Sequence, residues 1–219
     1  MHDVEELLRL PSPAPRPQAL ACDGETLWMG SLATHRLYEI DSARWTVRSE
    51  AQAPGPIFGI TVAGDEIFAI IADDNDDRAI HTFIPGHGFR SNHVIPCPEG
   101  TGSQLGFDGD RLYVSQWYNK RILSLDQHGH VGTIIEVPHG ICGQVIVNGR
   151  FYLLTTDDES TNDYYVTRVD ARSGTLVVED LARVPFQARA LAFDGKRFWT
   201  NHREQHEIVA FTIPGLASP

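Results

Sequence analysis

Three titratable side chains stand at alternate positions in the segment NHREQHE, residues 201–207. His202, Glu204 and His206 would point to the same side of an extended strand, because strand side chains alternate between faces. Two imidazoles and a carboxylate that converge can transfer protons or bind a metal ion. We therefore predict that His202 and Glu204 are catalytic and that His202 and His206 are metal ligands. The alternative is an exposed polar turn.

An acidic segment offers a second candidate metal site. In ADDNDDR, residues 72–78, Asp73, Asn75 and Asp77 have the spacing of the first half of a calcium-binding loop. The glycine and the distal glutamate that complete such a loop are missing, and a similar acidic run, TDDESTND, occupies residues 156–163. These segments predict one divalent cation, Ca²⁺, Mg²⁺ or Zn²⁺, as cofactor, and we expect no organic cofactor. The alternative is a pair of solvated turns.

Two amides and one guanidinium beside short apolar runs are candidates for ligand binding. Gln104 and Gln144 hold the same position in two segments of similar sequence, and amides there can bind a polar ligand or structural waters. Arg189 is a charged fork next to an apolar run, which favours an anionic partner, either a ligand or a local Asp.

Aromatic residues extend the predicted substrate-binding set. Gln116 and Trp117 lie in one loop, which indicates ligand stacking, a protein contact or packing of the indole against a neighbouring unit. Phe58, in a Gly- and Pro-rich segment, completes the set. His139 and Cys142 are three residues apart and could form a catalytic dyad. The sequence has no nucleophile elbow, phosphate loop, dinucleotide fingerprint or zinc spacing.

These candidates lie among five copies of one repeat, in which an apolar run, a turn with glycine and a second run follow each other. The copies are ALACDGETLW, GITVAGDEIF, QLGFDGDRLY, QVIVNGRFY and RALAFDGKRFW. Their turn glycines, spaced by 40, 45, 40 and 46 residues, are Gly24, Gly64, Gly109, Gly149 and Gly195. A period in the forties built from short β-rich runs is typical of propeller blades, whereas helical repeats would show a 3.6-residue period.

The repeat predicts an all-β, five-bladed β-propeller with four antiparallel strands in each blade, named a to d from the centre outward. One domain spans residues 1–219. The predicted blades occupy residues 17–52, 53–98, 99–138, 139–185 and 186–214 plus 4–10.

The N-terminal segment is predicted to close the ring. Blade 5 lacks a fourth strand after Ile213, and VEELLRL, residues 4–10, resembles the ends of other outermost strands, IIEVP and DLARVP. Pairing the two chain ends in one sheet leaves no bare edge. A short helix is the alternative on propensity. The Asp-Gly turns further predict positive φ at Gly109 and Gly195.

Blade topology also predicts where a site lies. Loops that join strand b to c, and strand d to the next a, emerge on one face, here called the upper face; the a–b and c–d turns emerge on the lower face. The upper loops are the longer and more varied ones, as functional loops on a rigid scaffold usually are. Residues expected to gather there, at the mouth of the central channel, are Gln104, Gln144, Arg189 and His202.

The repeat, together with stretches such as NKRILSLD (residues 119–126), resembles the blades of NHL, virginiamycin-B-lyase-like and gluconolactonase-like propellers and of the five-bladed glutaminyl cyclotransferases. The resemblance covers the whole chain and rests on blade sequence alone. It implies lyase, lactone-hydrolase or cyclisation chemistry, often metal-assisted. Cyclotransferases have an acid just after the aromatic residue of strand b, so cyclase activity is not expected here. The residues at that position are Met29, Ala69, Val114, Leu153 and Thr200.

Composition narrows the partners. The 219 residues carry a net charge of −11, and an acidic surface repels phosphate backbones, which argues against nucleic acid. No apolar run approaches the ~20 residues of a membrane-spanning helix. The N-terminus has no signal-peptide pattern and the three cysteines fit no disulfide framework, so we expect a cytoplasmic protein.

We therefore expect a small-molecule-binding propeller, and an enzyme of the lyase, hydrolase or cyclisation type, with its pocket at the upper channel mouth. The alternative is a non-catalytic module that presents the same face to a protein partner.

Overall fold

The computed structural model describes residues 1–172 and 174–216, which form five four-stranded antiparallel sheets. The one helical element of the described residues is the 3-10 turn Pro98–Gly100, so these residues contain no helix that is long and apolar enough to cross a membrane. The twenty strands are β1 (Glu5–Pro11), β2 (Pro17–Asp23), β3 (Thr26–Ser31), β4 (Arg36–Asp41), β5 (Thr46–Gln52), β6 (Ile57–Ala63), β7 (Glu66–Ala72), β8 (Arg78–Ile84), β9 (Gly88–Pro96), β10 (Gln104–Phe107), β11 (Leu112–Gln116), β12 (Arg121–Leu125), β13 (Val131–Glu136), β14 (Gly140–Val147), β15 (Arg150–Thr156), β16 (Tyr164–Asp170), β17 (Val177–Val184), β18 (Ala188–Phe193), β19 (Phe198–His202) and β20 (Glu207–Thr212).

The predicted five-bladed propeller is confirmed. Blades 1 to 4 are the consecutive sheets β2–β5, β6–β9, β10–β13 and β14–β17, and blade 5 has the order β1-β20-β19-β18. The a strands β2, β6, β10, β14 and β18 pack one against the next in a closed ring. This ring surrounds the central channel.

Burial falls from the centre of each blade outward. In blade 1, β3 is buried at every position, whereas β5, TVRSEAQ, is exposed at nearly all of them. The inner strands are apolar on both sides because neighbouring blades cover both sheet faces. One core cluster, for example, joins Leu27 and Met29 of blade 1 to Trp199 and Ile208 of blade 5.

The N-terminal strand closes the ring, as predicted. β1 pairs antiparallel with β20, with Leu10 opposite Ile208. Blade 1 fastens this strand from the other side, since the indole N–H of Trp45 donates to the carbonyl of Pro11 at 3.0 Å. The ring of Trp45 also stacks on that of Trp199 in blade 5, with centroids 6.0 Å apart.

The a–b turns differ in length, since those of blades 3 and 5 hold four residues and that of blade 4 holds two. Gly109 and Gly195 have φ of 103° and 90°, which confirms their predicted positive φ. The loops that contain them hold four residues, however, and not the two of a tight hairpin turn. Asp108 and Asp194 are the reason, because each carboxylate accepts backbone N–H bonds from the second and third residues that follow it.

Candidate functional site

A cavity of about 170 Å³ lies at the upper end of the central channel. Strands a carry register shifts close to their first residues, and a bulge re-aims the side chain that it contains. The shifts lie between Pro17 and Ala19, Ile57 and Gly59, Ile141 and Gly143, and Arg189 and Ala192. The side chains that these blades turn into the cavity are Gln18, Phe58, Cys142 and Arg189, and blade 3 adds Ser103 and Gln104.

Arg189 is held at the buried side of this cavity. Its guanidinium donates to the hydroxyl of Tyr164 at 3.0 Å and to the carbonyl of Ala188 at 3.1 Å, and it contacts the thiol of Cys142 at 3.3 Å. The second terminal nitrogen forms an ion pair with Glu159, on the b–c loop of blade 4. The Arg189 side chain is 4% exposed and that of Glu159 43%. The charge of Arg189 is thus balanced by an acid that reaches in from the solvent side.

Apart from Glu159, the ionisable groups beside Arg189 are kept neutral. Burial raises the pKa of Cys142 to about 11, although Arg189 acts in the opposite direction. Burial likewise raises the pKa of Tyr164. Burial opposes the charge of Arg189 itself, yet its pKa is raised by the nearby Cys142, Tyr164 and Glu159. At neutral pH this cluster is therefore a fixed cation beside a thiol and a phenol, which suits the orientation of a polar ligand.

Arg78 brings a second guanidinium from blade 2. It lies flat over the Phe58 ring, 3.6 Å from the ring centroid, and donates to the carbonyl of Gly102 at 2.8 Å. Stacking and the carbonyl together fix the fork in one orientation. Its nearest carboxylate, Asp76, is 3.5 Å away and largely exposed.

Arg203 supplies a third guanidinium, from the b–c turn of blade 5. It contacts the amide oxygen of Gln18 and the carboxylate of Glu204, both at 3.4 Å. These long contacts leave most of its N–H groups available. Glu204 itself points to solvent and does not line the cavity.

The amides predicted for blade 3 have different surroundings. Gln104 lines the cavity and donates to the carbonyl of Phe58 at 3.0 Å, which ties blade 3 to blade 2. Gln116 lies outside the lining and is buried. Its amide donates to the carbonyls of Pro98 and Thr101, so it holds the d–a loop that borders the cavity.

Trp117 does two things that the sequence left as alternatives. It lines the cavity, and it also packs on blade 4 at Gly140, where an added Cβ would lie 2.7 Å from the indole ring. Tyr118, next to it, meets the indole edge-on at 4.8 Å between centroids and is 86% exposed. The pair forms an aromatic rim on the blade 3 side.

Gln144 does not share the position of Gln104. Gln104 lies opposite Ser115 and Gln144 opposite Leu153, so the residue of blade 4 that corresponds to Gln104 is Gly143, opposite Leu154. A one-residue shift turns a strand side chain to the other side. Gln144 accordingly lines a second cavity, of about 290 Å³, formed by the later halves of the a strands at the lower end of the channel.

The segment 201–207 is not an extended strand. β19 ends at His202 and β20 begins at Glu207, so the residues between them form a turn. His202 stacks on Phe186, with parallel rings 4.9 Å apart, and burial lowers its pKa. His206 instead accepts the backbone N–H of Arg16 through Nδ1 at 3.2 Å. The turn therefore separates the side chains that alternation on a strand would have brought together.

The acidic loop of blade 2 uses its first carboxylate internally. Asp73 accepts the backbone N–H groups of Asn75 and Asp77 at 2.8 and 3.0 Å, which closes the turn. Within the described residues, no three His, Cys, Asp or Glu side chains are grouped so that they could hold a metal ion. A divalent cation at His202, His206 or the residues of this loop remains a prediction.

His139 and Cys142 also lie apart in their contacts. His139 is hydrogen-bonded through Nδ1 to Asp157 at 2.7 Å, between blades 3 and 4. Cys142 instead faces Arg189 in the upper cavity.

Three charged cavity residues were not among the sequence candidates: Arg78, Glu159 and Arg203. All three belong to the segments ADDNDDR, TDDESTND and NHREQHE, which were interpreted through their potential metal ligands. An arginine within an acidic upper loop is the signal that could have identified two of them.

No protein-family model and no curated protein sequence matches the chain at a significant level. Solved structures with a similar fold include glutaminyl cyclase from Myxococcus xanthus, with a TM-score of 0.72 and 14% identity over 97% of this chain and 98% of that one. PQQ-bound aldose sugar dehydrogenase from Streptomyces coelicolor has a TM-score of 0.61 and 14% identity, over 99% and 83% of the two chains. An inactive variant of virginiamycin B lyase from Staphylococcus aureus, with quinupristin, has a TM-score of 0.57 and 16% identity over 93% and 83%.

These similarities show the propeller fold, and the known structures of that fold include enzymes. The position after the strand b aromatic residue, where the cyclotransferase pattern has an acid, is fully buried in every blade. Its occupants are Met29, Ala69, Val114, Leu153 and Thr200. Four of them are apolar, and the Thr200 hydroxyl donates to the backbone carbonyls of Arg189 and Ala190. The position is part of the packing between blades.

Proposed function

We propose that the chain is a small-molecule-binding propeller whose ligand occupies the upper cavity. The observation that supports this most is the set of side chains turned inward at the starts of the a strands, because all five blades direct polar, charged or aromatic groups to one concave point. A few convergent polar groups at such a point are what ligand sites have in common. Gln18, Gln104 and Arg189 would bind polar atoms of the ligand, and Phe58 and Trp117 would pack against its apolar part.

Catalysis at this site is the second part of the proposal. The fold is shared with enzymes, and we propose a reaction of the lyase, hydrolase or cyclisation type on the bound ligand. The carboxylate of Glu159 and the thiol of Cys142 line the cavity, and we propose them for proton transfer. His202 lies behind this set, against Phe186, and would exchange protons with the ligand through water.

A screen of small polar metabolites by thermal shift tests the binding proposal. Compounds that raise the melting temperature should lose their effect in Gln104→Leu, and keep it in Arg111→Gln, whose side chain lies at the lower face. If no compound raises the melting temperature of the wild-type chain, the proposal is wrong. Each active compound is then incubated with the protein and followed by NMR, and a ligand that stays unchanged would refute catalysis while leaving binding intact.

A protein-binding role is favoured by one observation, the 86% exposure of Tyr118 beside Trp117 at the cavity rim. Exposed aromatic residues of this kind are common in the centres of protein interfaces. Tyr118→Ala should abolish capture of a protein partner, whereas Gln104→Leu, whose side chain is buried inside the cavity, should leave that capture intact.

A further inference from the structure

We infer that the ligand of the upper cavity is a small dianion, held between Arg78 on one side and Arg203 on the other. This inference rests on the proposed function and specifies its ligand. It is supported by the charges of the lining, by the unused donors of each guanidinium, and by the blades from which the two come.

The lining has a charge opposite to that of the chain. The protein carries a net charge of −11, yet the residues around the cavity include the guanidiniums of Arg78, Arg189 and Arg203 and a single carboxylate, Glu159. Like charges gathered in one small space repel each other, so such a cluster needs a counter-charge. Glu159 provides one for Arg189. The charges of Arg78 and Arg203 have no carboxylate partner within the lining.

The acids nearest to these two arginines lie outside the cavity and are weak partners. Asp76 is 3.5 Å from Arg78, and Glu204 is 3.4 Å from Arg203. Both carboxylates are well over half exposed, while the two arginines are largely buried. Exposed ion pairs at such distances contribute little. An anion inside the cavity would be less hydrated and more strongly bound.

Both guanidiniums keep unused donors, and that of Arg78 is also held in a fixed position. Arg78 is stacked on Phe58 and spends one terminal nitrogen on the carbonyl of Gly102. Arg203 has only long contacts, one of them to Gln18. An arginine has five N–H groups, and its planar fork matches a carboxylate or phosphate. Each arginine can therefore receive one anionic group without rearranging.

The two arginines stand on opposite sides of the channel. Arg78 begins β8 of blade 2, and Arg203 follows β19 of blade 5. In a ring of five these blades are not neighbours, because blade 1 separates them on one side and blades 3 and 4 on the other. A molecule with an anionic group at each end can therefore contact both arginines from within the one cavity that they line.

The cavity limits the size and shape of this dianion. Its volume of about 170 Å³ is below the ~300–1,000 Å³ of pockets for drug-sized ligands. Ser103 and Gln104 offer neutral hydrogen bonds to the middle of the molecule, and Trp117 covers it. A short dicarboxylate, or a small acid with one carboxylate and one phosphate, has this chemistry.

Isothermal titration calorimetry at low ionic strength tests the inference with matched probes. Malonate, succinate and glutarate are compared with propionate, butyrate and valerate, which have the same carbon number and one charge fewer. At least one dianion should bind tenfold or more tightly than its monoanion. Arg78→Gln and Arg203→Gln should each reduce that ratio to about one. Arg90→Gln, on the exposed outer strand of the same blade as Arg78, should preserve it.

Two results would overturn the inference. One is that no dianion binds better than its monoanion, and the other is that Arg78→Gln and Arg203→Gln preserve the preference. In either case the proposed function is judged separately, with neutral compounds and Gln104→Leu. A neutral ligand that depends on Gln104 would refute the dianion and support a binding site in the same cavity.

Discussion

The ion pair between Glu159 and Arg189 gives the sharpest test of how the site is built. Glu159→Gln removes the negative charge and keeps the size and most hydrogen bonding of the side chain. Arg189 then remains buried without its counter-charge, while Tyr164 and the Ala188 carbonyl still accept from it. The variant should therefore be less stable than the wild type and should bind anions more tightly.

The expected size follows from the unequal burial of the two partners. Breaking a fully buried pair costs about 3–5 kcal/mol, and an exposed pair contributes about 0–1 kcal/mol. Arg189 is 4% exposed and Glu159 43%, so the value lies between these limits, at about 1–2 kcal/mol. For a chain of this length that is a fall in melting temperature of about 2–8 °C. Such a loss leaves a protein of ordinary stability folded.

Anion dependence distinguishes this mechanism from simple damage to packing. A dianion at ten times its Kd stabilises the folded state by about 1.4 kcal/mol, and because the variant should bind it more tightly than the wild type does, the difference between their melting temperatures should shrink when it is present. Thermal melts with and without succinate, at constant ionic strength, measure this. Glu179→Gln is the matched control, because it breaks a surface pair with Arg168 and should change little in either condition. Equal melting temperatures for wild type and Glu159→Gln would show that Arg189 does not need the carboxylate.

Three further predictions concern the frame of the site. Deleting residues 1–11 removes β1 and bares the edge of β20, and it should lower the melting temperature by at least about 5 °C; no change would mean that the closing strand is dispensable. Gly143→Ala places a Cβ 2.5 Å from the backbone of Ala190 and should lower the free energy of unfolding in urea by about 1–3 kcal/mol. The loss should be larger than in Gly106→Ala, whose Cβ meets the movable side-chain amide of Gln144. Equal losses in the two variants would contradict this. The hydrogen bond from Arg48 holds the pKa of Asp41 at about 2. The contribution of ionised Asp41 to the free energy of unfolding is therefore fully present above the usual pKa near 3.8 and is lost as the pH falls through 2. The stability difference between wild type and Asp41→Asn should shrink from pH ~4 to ~2, and a constant difference would refute the linkage.

Most of the fold could be predicted from the sequence repeat. Turn glycines at a period in the forties determine the number of blades, and the match of residues 4–10 to other outer strands determines how the ring closes. Both are properties of local pattern, since strand runs and turns are encoded within a few residues of each other. Side-chain positions within a strand depend on the register as well, which the glycine positions alone do not give.

Gln144 illustrates the limit. Gln104 and Gln144 both stand five residues before a turn glycine, but Gly109 lies in a four-residue loop and Gly149 in a two-residue turn. Counting back from the turn glycine therefore misplaces Gln144 by one pair of opposed residues on strands a and b, and Gln144 lies at the other end of the channel. The loop length was set by the carboxylate of Asp108, a contact that a repeat alignment does not contain.

The variety of side chains around the upper cavity distinguishes it from a channel that is filled only to stabilise the fold. The five blades bring the starts of their a strands to the channel in similar ways, yet the residues that line the cavity there are Gln18, Phe58, Ser103 with Gln104, Cys142 and Arg189. If these side chains only filled the channel, one residue type could serve in every blade, as glycine and small residues do where strands approach closely. Because the side chains differ in chemistry from one side of the channel to another, the cavity is chemically asymmetric. The ligand that we propose for it also lacks fivefold symmetry, with anionic groups toward blades 2 and 5, where Arg78 and Arg203 lie, and its middle toward blade 3, where Trp117 lies.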